Sequence, residues 1–233
     1  MKILALDSAT GACSVALWRD GAIVAQRFAV MDRGQSEVLI PMVQEVLTEA
    51  GADFLSIDVF AVTTGPGAFT GLRIGLAAAK GMALASGRPL IGVTTFEAVA
   101  HGVPAEERRG CPVLVAVESR REDIFVQSFD SELIPTSEAR SVRPEDLALA
   151  GTPLLVAGDG AARVRLAFEA AGGSVSAGRP DVRFASGAGF PHAADVARIV
   201  ALRGAGSGLE KAAPPQPFYL RPPDVTMPVE KRR

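Results

Sequence analysis

A carboxylate stands at the end of the first apolar segment, where its position suits phosphate chemistry. Asp7 directly follows Ile3-Leu4-Ala5-Leu6. An ATPase needs such an acid to organise metal-bound water, and it needs glycine loops whose backbone N–H groups hold phosphates. Asp7 therefore makes nucleotide chemistry the first hypothesis to weigh.

The loops that would complete a nucleotide site are weak. Ser8-Ala9-Thr10-Gly11 is not a full phosphate-binding loop, and the second half of the chain offers only Gly158-Asp159-Gly160 as a second one. A vestigial nucleotide site and a structural role, in which Asp7 caps a turn by accepting backbone hydrogen bonds, are about equally supported. The residues of the vestigial site would be Asp7, Ser8, Thr10, Gly158 and Gly160.

Residues for other catalytic chemistry do not cluster in the sequence. His101 and His192 are isolated, and Cys13 and Cys111 share no metal-type spacing with them. The chain has no Gly-x-Ser-x-Gly elbow, and neither cysteine has a plausible base near it in sequence. We therefore predict no metal site, no disulfide and no catalytic residue in this chain alone.

A long glycine block lies between a predicted strand, Val59–Thr64, and a predicted helix, Leu72–Ser86. Its glycines permit backbone conformations that larger residues disfavour, so we expect a rigid strand-to-helix turn. Contact of the apical Phe69 with a neighbouring segment is a secondary possibility. The residues assigned to this loop are Gly65, Pro66, Gly67, Phe69, Thr70 and Arg73.

The remaining pattern predicts an α/β protein whose sheet begins with an antiparallel meander. The predicted strands are 2–7, 13–19, 22–28, 59–64, 89–93, 113–118, 123–129 and 154–157, with helices at 36–50, 72–86, 161–171 and 193–203. Asp20-Gly21 marks a two-residue hairpin, and Pro41 must lie near the start of its helix or kink it. We divide the chain into residues 1–104, a smaller part at 105–210 and an extended proline-rich tail at 211–233.

Two predicted helices carry apolar surface for a partner. The helix at 36–50 has a wide apolar face, formed by Val38, Leu39, Met42, Val43, Val46 and Leu47. These side chains cover more circumference than one sheet contact buries, which favours a partner interface. The helix at 72–86 continues a stripe of small residues, formed by Gly71, Gly75, Ala78, Ala79 and Met82. Such a stripe admits another helix closely, although packing on the chain's own sheet is slightly favoured.

The charge balance disfavours unaided RNA binding. The formal net charge is −2, whereas a protein that grips nucleic acid alone concentrates Lys and Arg on one face. Arg108-Arg109, Arg120-Arg121 and Lys231-Arg232-Arg233 are small basic clusters, for which solvated loop and tail charge is the favoured interpretation. The sequence also shows no export signal or membrane span, so we expect a cytoplasmic protein with no membrane partner.

Five segments together resemble the TsaB (YeaZ) family, a branch of the actin, hexokinase and Hsp70-like ATPase fold. They are Ile3–Thr10, Cys13–Leu17, Leu39–Val43, Gly65–Gly75 and Phe218–Arg221, and the resemblance covers nearly the whole chain. It implies an actin-like fold with two subdomains built on mixed sheets, of which the second is reduced.

The resemblance implies a non-catalytic partner subunit. Such a subunit supports the catalytic paralogue TsaD, with the ATPase TsaE, in transferring threonylcarbamoyl to N6 of adenosine 37 in tRNAs that read codons beginning with A. It reaches tRNA through the complex and can form a homodimer when TsaD is absent. Catalytic relatives carry a His-x-x-x-His metal pair, which Gln35–Ile40 lacks here. No cofactor is thus expected on this chain alone, while ATP and a divalent metal are expected in the complex.

Two other functions compete with that implication. An actin-like ATPase or phosphotransferase is suggested by Asp7 and the glycine loops. A peptidase is suggested by fold kinship alone and lacks every catalytic residue it would need.

Overall fold

An antiparallel meander begins the chain, as predicted. The computed structural model describes residues 1–149, 153–173, 182–187, 189–204 and 213–221. The first sheet has the strand order β3-β2-β1-β4-β5, with β1 and β4 parallel. Its strands are β1 (Lys2–Asp7), β2 (Ala12–Arg19), β3 (Ala22–Val30), β4 (Val59–Thr63) and β5 (Leu90–Val93). Asp20 and Gly21 both have positive φ, as the tight β2–β3 hairpin turn requires.

The second sheet repeats the arrangement on a smaller scale. Its order is β10-β9-β6-β7-β8, with β6 antiparallel to β7 and parallel to β9. The strands are β6 (Val113–Glu118), β7 (Ile124–Phe129), β8 (Arg140–Val142), β9 (Leu154–Ala157) and β10 (Val182–Phe184). The predicted mixed sheets are confirmed, but β8 and β10 were not predicted because strands of three residues leave little periodic signal.

Six α-helices and two short 3-10 helices, Phe54–Ser56 and Pro144–Asp146, are present in the described part of the chain. The α-helices are α1 (Gln35–Glu49), α2 (Phe69–Ser86), α3 (Thr95–Gly102), α4 (Ala105–Arg108), α5 (Ala161–Ala170) and α6 (Ala193–Gly204). Pro41 lies in the second turn of α1, and α2 begins at Phe69 rather than at the predicted Leu72. None of the described helices has the length and apolar character that crossing a membrane requires.

Each sheet is covered by helices on both faces. Helices α1 and α2 pack on the Leu4 and Leu6 side of β1, and α6 packs on the Ile3 and Ala5 side. This division follows from alternation, because successive side chains of a strand point to opposite faces. In the second sheet, α3 packs on the Val115 side and α5 on the opposite side.

The two halves of the chain exchange a helix. Helix α3 comes from the first half but packs on the second sheet, whereas α6 comes from the second half but covers the first. The helices also contact each other. A cut between residues 104 and 105 would separate both helices from the sheets they cover, so the division of the chain proposed above stays a proposal.

The described part of the tail, residues 213–221, contains no helix or strand. Pro215 lies against Gly92 of β5, the backbone N–H of Phe218 donates to the carbonyl of Thr64 at 2.7 Å, and Leu220 packs on the core beside α3. This segment therefore joins the two sheets. Residues 222–233 of the predicted tail lie outside the described residues.

Candidate functional site

The carboxylate of Asp7 is completely buried at the carboxyl end of β1. Its Oδ1 accepts hydrogen bonds from the Thr63 hydroxyl at 2.5 Å and from the Ala9 N–H at 3.2 Å. Its Oδ2 has no hydrogen-bond partner among the described residues. Burial raises the pKa of Asp7 to about 7, although both hydrogen bonds oppose the rise. The proposed turn-capping role is thus present at Ala9, beside an oxygen left unpaired.

A second acid, Asp159, lies in the second sheet, two residues after the end of β9. It is partly buried, and its Oδ1 accepts from the Glu118 N–H at 2.9 Å. Burial, with a further contribution from the Glu118 charge, raises the pKa of Asp159 to about 6. Its own charge adds to the rise at Asp7. Sequence reasoning selected Gly158 and Gly160 but not the acid between them, although an acid directly after an apolar strand was the signal used for Asp7.

Three other residues of the predicted nucleotide site, Ser8, Gly158 and Gly160, have structural roles. Ser8 donates its hydroxyl to the Gly71 carbonyl at 2.8 Å and is unavailable to a ligand in this arrangement. A Cβ on Gly158 would lie 2.0 Å from the Ala116 carbonyl oxygen, and the N–H of Gly160 already donates to that oxygen. The two glycines therefore pack the turn after β9 on β6. Of the predicted set, Thr10 has a buried hydroxyl with no hydrogen-bond partner among the described residues, and Thr10 and Asp159 both line a cavity of about 270 Å³.

No metal centre is formed by the described residues. Within ranges 1–149, 153–173, 182–187, 189–204 and 213–221, no group of three or more His, Cys, Asp or Glu side chains is placed to hold an ion. The ring of His192 stacks on Phe28, with centroids 4.1 Å apart, and burial lowers the pKa values of both His192 and His101. Asp7 and Asp159, whose pKa values are raised to about 7 and about 6, can each hold a proton near neutral pH.

The glycine loop is held by close backbone contacts. A Cβ on Gly65 would lie 2.5 Å from the Phe218 carbonyl oxygen, and one on Gly67 would lie 2.1 Å from that of Ala9. The N–H of Ala68 also donates to the Ala9 carbonyl at 2.7 Å. The loop thus sits between the β1–β2 turn and the tail, in a place that only glycine fits.

Phe69, at the apex of the loop, contacts the chain's own tail. The Arg73 guanidinium lies 3.7 Å from the centre of the Phe69 ring, and the Tyr219 ring stacks on it with centroids 5.3 Å apart. Arg73 Nε also donates to the Tyr219 hydroxyl at 3.1 Å. The segment that Phe69 contacts is therefore the tail of the same molecule, through Tyr219.

The predicted partner face of α1 needs correction. Leu39, Val43 and Val46 are at most 4% exposed and lie in the core against the first sheet. They cannot touch a partner in this conformation, because α1 rests on β2 and β3 through that side. Val38, Met42 and Leu47 are half-buried along its edges. The exposed apolar side chains of α1 are instead Ile40, at 44%, and Pro41.

The small-residue stripe of α2 also faces inward, which agrees with the alternative that it packs on the chain's own sheet. A Cβ on Gly71 would lie 2.1 Å from the Ser8 carbonyl oxygen, and one on Gly75 would lie 2.7 Å from the Ser8 hydroxyl. Ala79 is buried, and Ala78 and Met82 are half-buried against the same core. The opposite side of α2 is exposed and apolar. We call Ala77, Gly81, Leu84 and Ala85, with Ile40 and Pro41 of α1, the outer face.

Comparison with known proteins adds a family to this geometry. The family model for TsaD, tRNA N6-adenosine threonylcarbamoyltransferase, matches residues 28–143. The tRNA threonylcarbamoyladenosine biosynthesis protein TsaB of Escherichia coli K12 is 43% identical over 133 residues, which are 57% of this chain and 56% of that protein. The matched part thus spans little more than half of that curated relative.

Solved structures match over most of the chain. YeaZ from Pseudomonas aeruginosa is 30% identical with a TM-score of 0.74, and the match covers 94% of this chain and 99% of that one. Component A of the (R)-2-hydroxyglutaryl-CoA dehydratase of Acidaminococcus fermentans is 13% identical, with a TM-score of 0.50 and coverage of 89% and 100%. That second similarity concerns the fold alone, and the predicted actin-like fold is confirmed.

Proposed function

Since the chain belongs to the TsaB (YeaZ) family, we propose that it is the non-catalytic partner subunit in threonylcarbamoylation of adenosine 37 of tRNA. In this role it binds a TsaD subunit and holds it in an active form. TsaE and tRNA join through the complex, at tRNAs that read codons beginning with A. ATP and a divalent metal belong to the complex rather than to this chain.

The observation that carries the proposal is the outer face. Leu84 is 86% exposed, and no atom lies within 4 Å of where a Cβ on Gly81 would be. Because α1 and α2 cover the same side of the first sheet, Ile40 and Leu84 both point away from it. Small residues beside a large apolar one let a partner helix approach closely. Burying Leu84 fully would contribute about 1.5–3 kcal/mol.

Similarity to the TsaD family supports the choice of partner. The matched residues, 28–143, include both α1 and α2. A partner built on the same fold presents a related helix pair, so the two pairs can meet as a bundle of four helices. The same surface can close a homodimer when TsaD is absent, since a two-fold interface joins identical patches.

The partner role is tested with Leu84→Glu. A buried charge opposes association, so we expect the variant to lose co-elution with purified TsaD in gel filtration. The matched control is Leu166→Glu on α5, because Leu166 is also an exposed helical leucine, at 67%. It should co-elute like the original chain. Undiminished TsaD binding by a folded Leu84→Glu protein would refute the interface.

An ATPase or phosphotransferase is the second candidate, and the acids Asp7 and Asp159 favour it. Asp7 ends β1 of the first sheet and Asp159 lies two residues after β9 of the second, and burial raises their pKa values to about 7 and about 6. Calorimetric titration of the chain with Mg-ATP tests this function. Stoichiometric binding and turnover that Asp7→Asn abolishes would favour it over the partner role.

A further inference from the structure

A large cavity of about 930 Å³ opens between the starts of α1 and α2, the β6–β7 turn and the tail. Among the described residues, its charged lining consists of five arginines and one carboxylate, Asp32, and one of these arginines, Arg221, is also paired with Asp123. The arginines are Arg33, Arg73, Arg120, Arg121 and Arg221. We call this cavity the basic cleft.

The arginines of the basic cleft come from four separate parts of the chain. Arg33 precedes α1, Arg73 lies in α2, Arg120 and Arg121 form the β6–β7 turn, and Arg221 ends the described tail. The whole chain has a net charge of −2, so this concentration is not a general excess of basic residues. Scattered surface charge does not explain arginines from four segments that meet in one cavity.

Several contacts orient these side chains. Arg73 is held by the Phe69 ring and the Tyr219 hydroxyl, and Arg221 is paired with Asp123. Arg120 lies 3.2 Å from Asp32, but both side chains are more than half exposed. An exposed pair of this kind contributes about 0–1 kcal/mol, so an anion of higher charge can displace Asp32.

The starts of the two long helices add to the positive potential. Neither Gly34 before α1 nor Ala68 before α2 provides a side-chain cap, and the first residues of both helices line the basic cleft. Backbone N–H groups at a helix start attract anions, phosphates in particular. This contribution is secondary, since the arginines alone define the charge of the site.

We propose that the basic cleft binds phosphate groups, either those of an RNA backbone or those of a nucleotide. Guanidinium groups form paired hydrogen bonds with phosphate oxygens, and Arg33, Arg73 and Arg120 bring three such groups to this cavity from separate parts of the chain. Phe69 is already in contact with Arg73 and Tyr219, so the recognition rests on charge rather than on base stacking. The RNA alternative rests on the proposed function, whereas the phosphate chemistry does not.

The test uses Arg120→Gly in the full chain. Arg120 has a φ of 62°, which glycine adopts without strain, so the variant loses the guanidinium while the turn is kept. The matched control is Arg109→Gly, because Arg109 is exposed, has a φ of 51° and lies outside the basic cleft. Binding of a labelled RNA hairpin and of labelled ATP is measured by fluorescence anisotropy at several salt concentrations.

We expect Arg120→Gly to weaken binding several-fold and to reduce the salt dependence by about one counterion, as the loss of one phosphate contact predicts. Arg109→Gly should bind like the original chain. Asp32→Asn should tighten binding, since it removes the carboxylate that competes for Arg120. A tighter complex cannot result from damage to the fold.

Each outcome decides the proposal. Binding of RNA with this variant pattern supports the backbone as the source of the phosphates, and binding of ATP with the same pattern supports a nucleotide. Absence of both, equal binding by Arg120→Gly, or preferential binding of poly-glutamate, which would mark an acidic protein segment, would overturn it. Co-elution of Arg120→Gly with TsaD separates this result from the partner role, because Arg120 lies outside the outer face.

Discussion

The hydroxyl of Ser8 donates a hydrogen bond to the carbonyl oxygen of Gly71 at 2.8 Å, which joins the turn after β1 to the first turn of α2. The backbones come so close that a Cβ on Gly71 would lie 2.1 Å from the Ser8 carbonyl oxygen. The glycine block therefore lets α2 pack closely against the sheet. The outer face, most of which belongs to α2, is thus held in a fixed position by this packing.

Two glycines of α2 should respond oppositely to alanine. Gly71→Ala forces the Ser8 backbone aside and should lower the free energy of unfolding by about 3 kcal/mol, at the upper end of overpacking costs. Gly81→Ala meets no atom within 4 Å and should raise it by about 0.5–1 kcal/mol, because alanine favours helix. Urea unfolding followed by circular dichroism measures both. Similar effects of the two substitutions would contradict the packing at Ser8.

Burial of Asp7 predicts a stability that falls as the pH rises. Its folded pKa of about 7 lies above the ordinary value of 3.8, so the folded protein binds the proton more tightly than the unfolded chain. Between about pH 4 and pH 7 the folded state therefore loses stability, by a few kcal/mol in all. Asp7→Asn should flatten this dependence. The free energy of unfolding of the variant should therefore fall less between pH 5 and pH 8 than that of the original chain.

The measurement is urea unfolding at pH 5 and pH 8. Asp146→Asn, which changes an exposed carboxylate in the short 3-10 helix Pro144–Asp146, is the control and should keep the slope. An unchanged slope in Asp7→Asn would show that another group dominates the pH dependence.

Two neighbouring acids before β7 should differ sharply in their effect on stability. Asp123 is 7% exposed and accepts from Ser119 and Ser141 as well as from Arg221 of the tail. Asp123→Ala removes the acceptor of Ser141 and Arg221, whereas Ser119 keeps its hydrogen bond to the backbone carbonyl of residue 123, and the substitution should cost about 2 kcal/mol. The Glu122 side chain is 82% exposed and pairs with Arg143, so Glu122→Ala should cost less than about 0.5 kcal/mol. Thermal unfolding of the two variants checks the difference, and equal costs would contradict the role of Asp123 in holding the tail.

Local signals account for the part of the fold that the sequence predicted. Asp20-Gly21 marks a turn that needs positive φ at two successive residues. The two strands that this turn joins, β2 and β3, directly flank it in the sequence. Helix α3 was missed, although Thr94 and Glu97 form a capping box that the sequence contains. That signal was present and was not used.

The candidate site depended more strongly on contacts distant in sequence. Apolar spacing showed that α1 and α2 each have a face to bury, but it could not show which surface buries it. The structure turned Leu39, Val43 and the small-residue stripe inward and left Ile40 and Leu84 outside. Arg120-Arg121, interpreted from sequence as solvated loop charge, lines a cavity with three arginines from elsewhere in the chain.

By itself, the sequence determined the meander, the glycine turn and the family, because turn chemistry, side-chain periodicity and a long motif are properties of adjacent residues. The tertiary structure alone decided that α3 and α6 each cover the other half's sheet, that the charge of Asp159 acts on Asp7 from the second sheet, and that the arginines share one cleft. These relationships join residues far apart along the chain, and they exist only once the sheets and helices have packed and excluded water from the core between them.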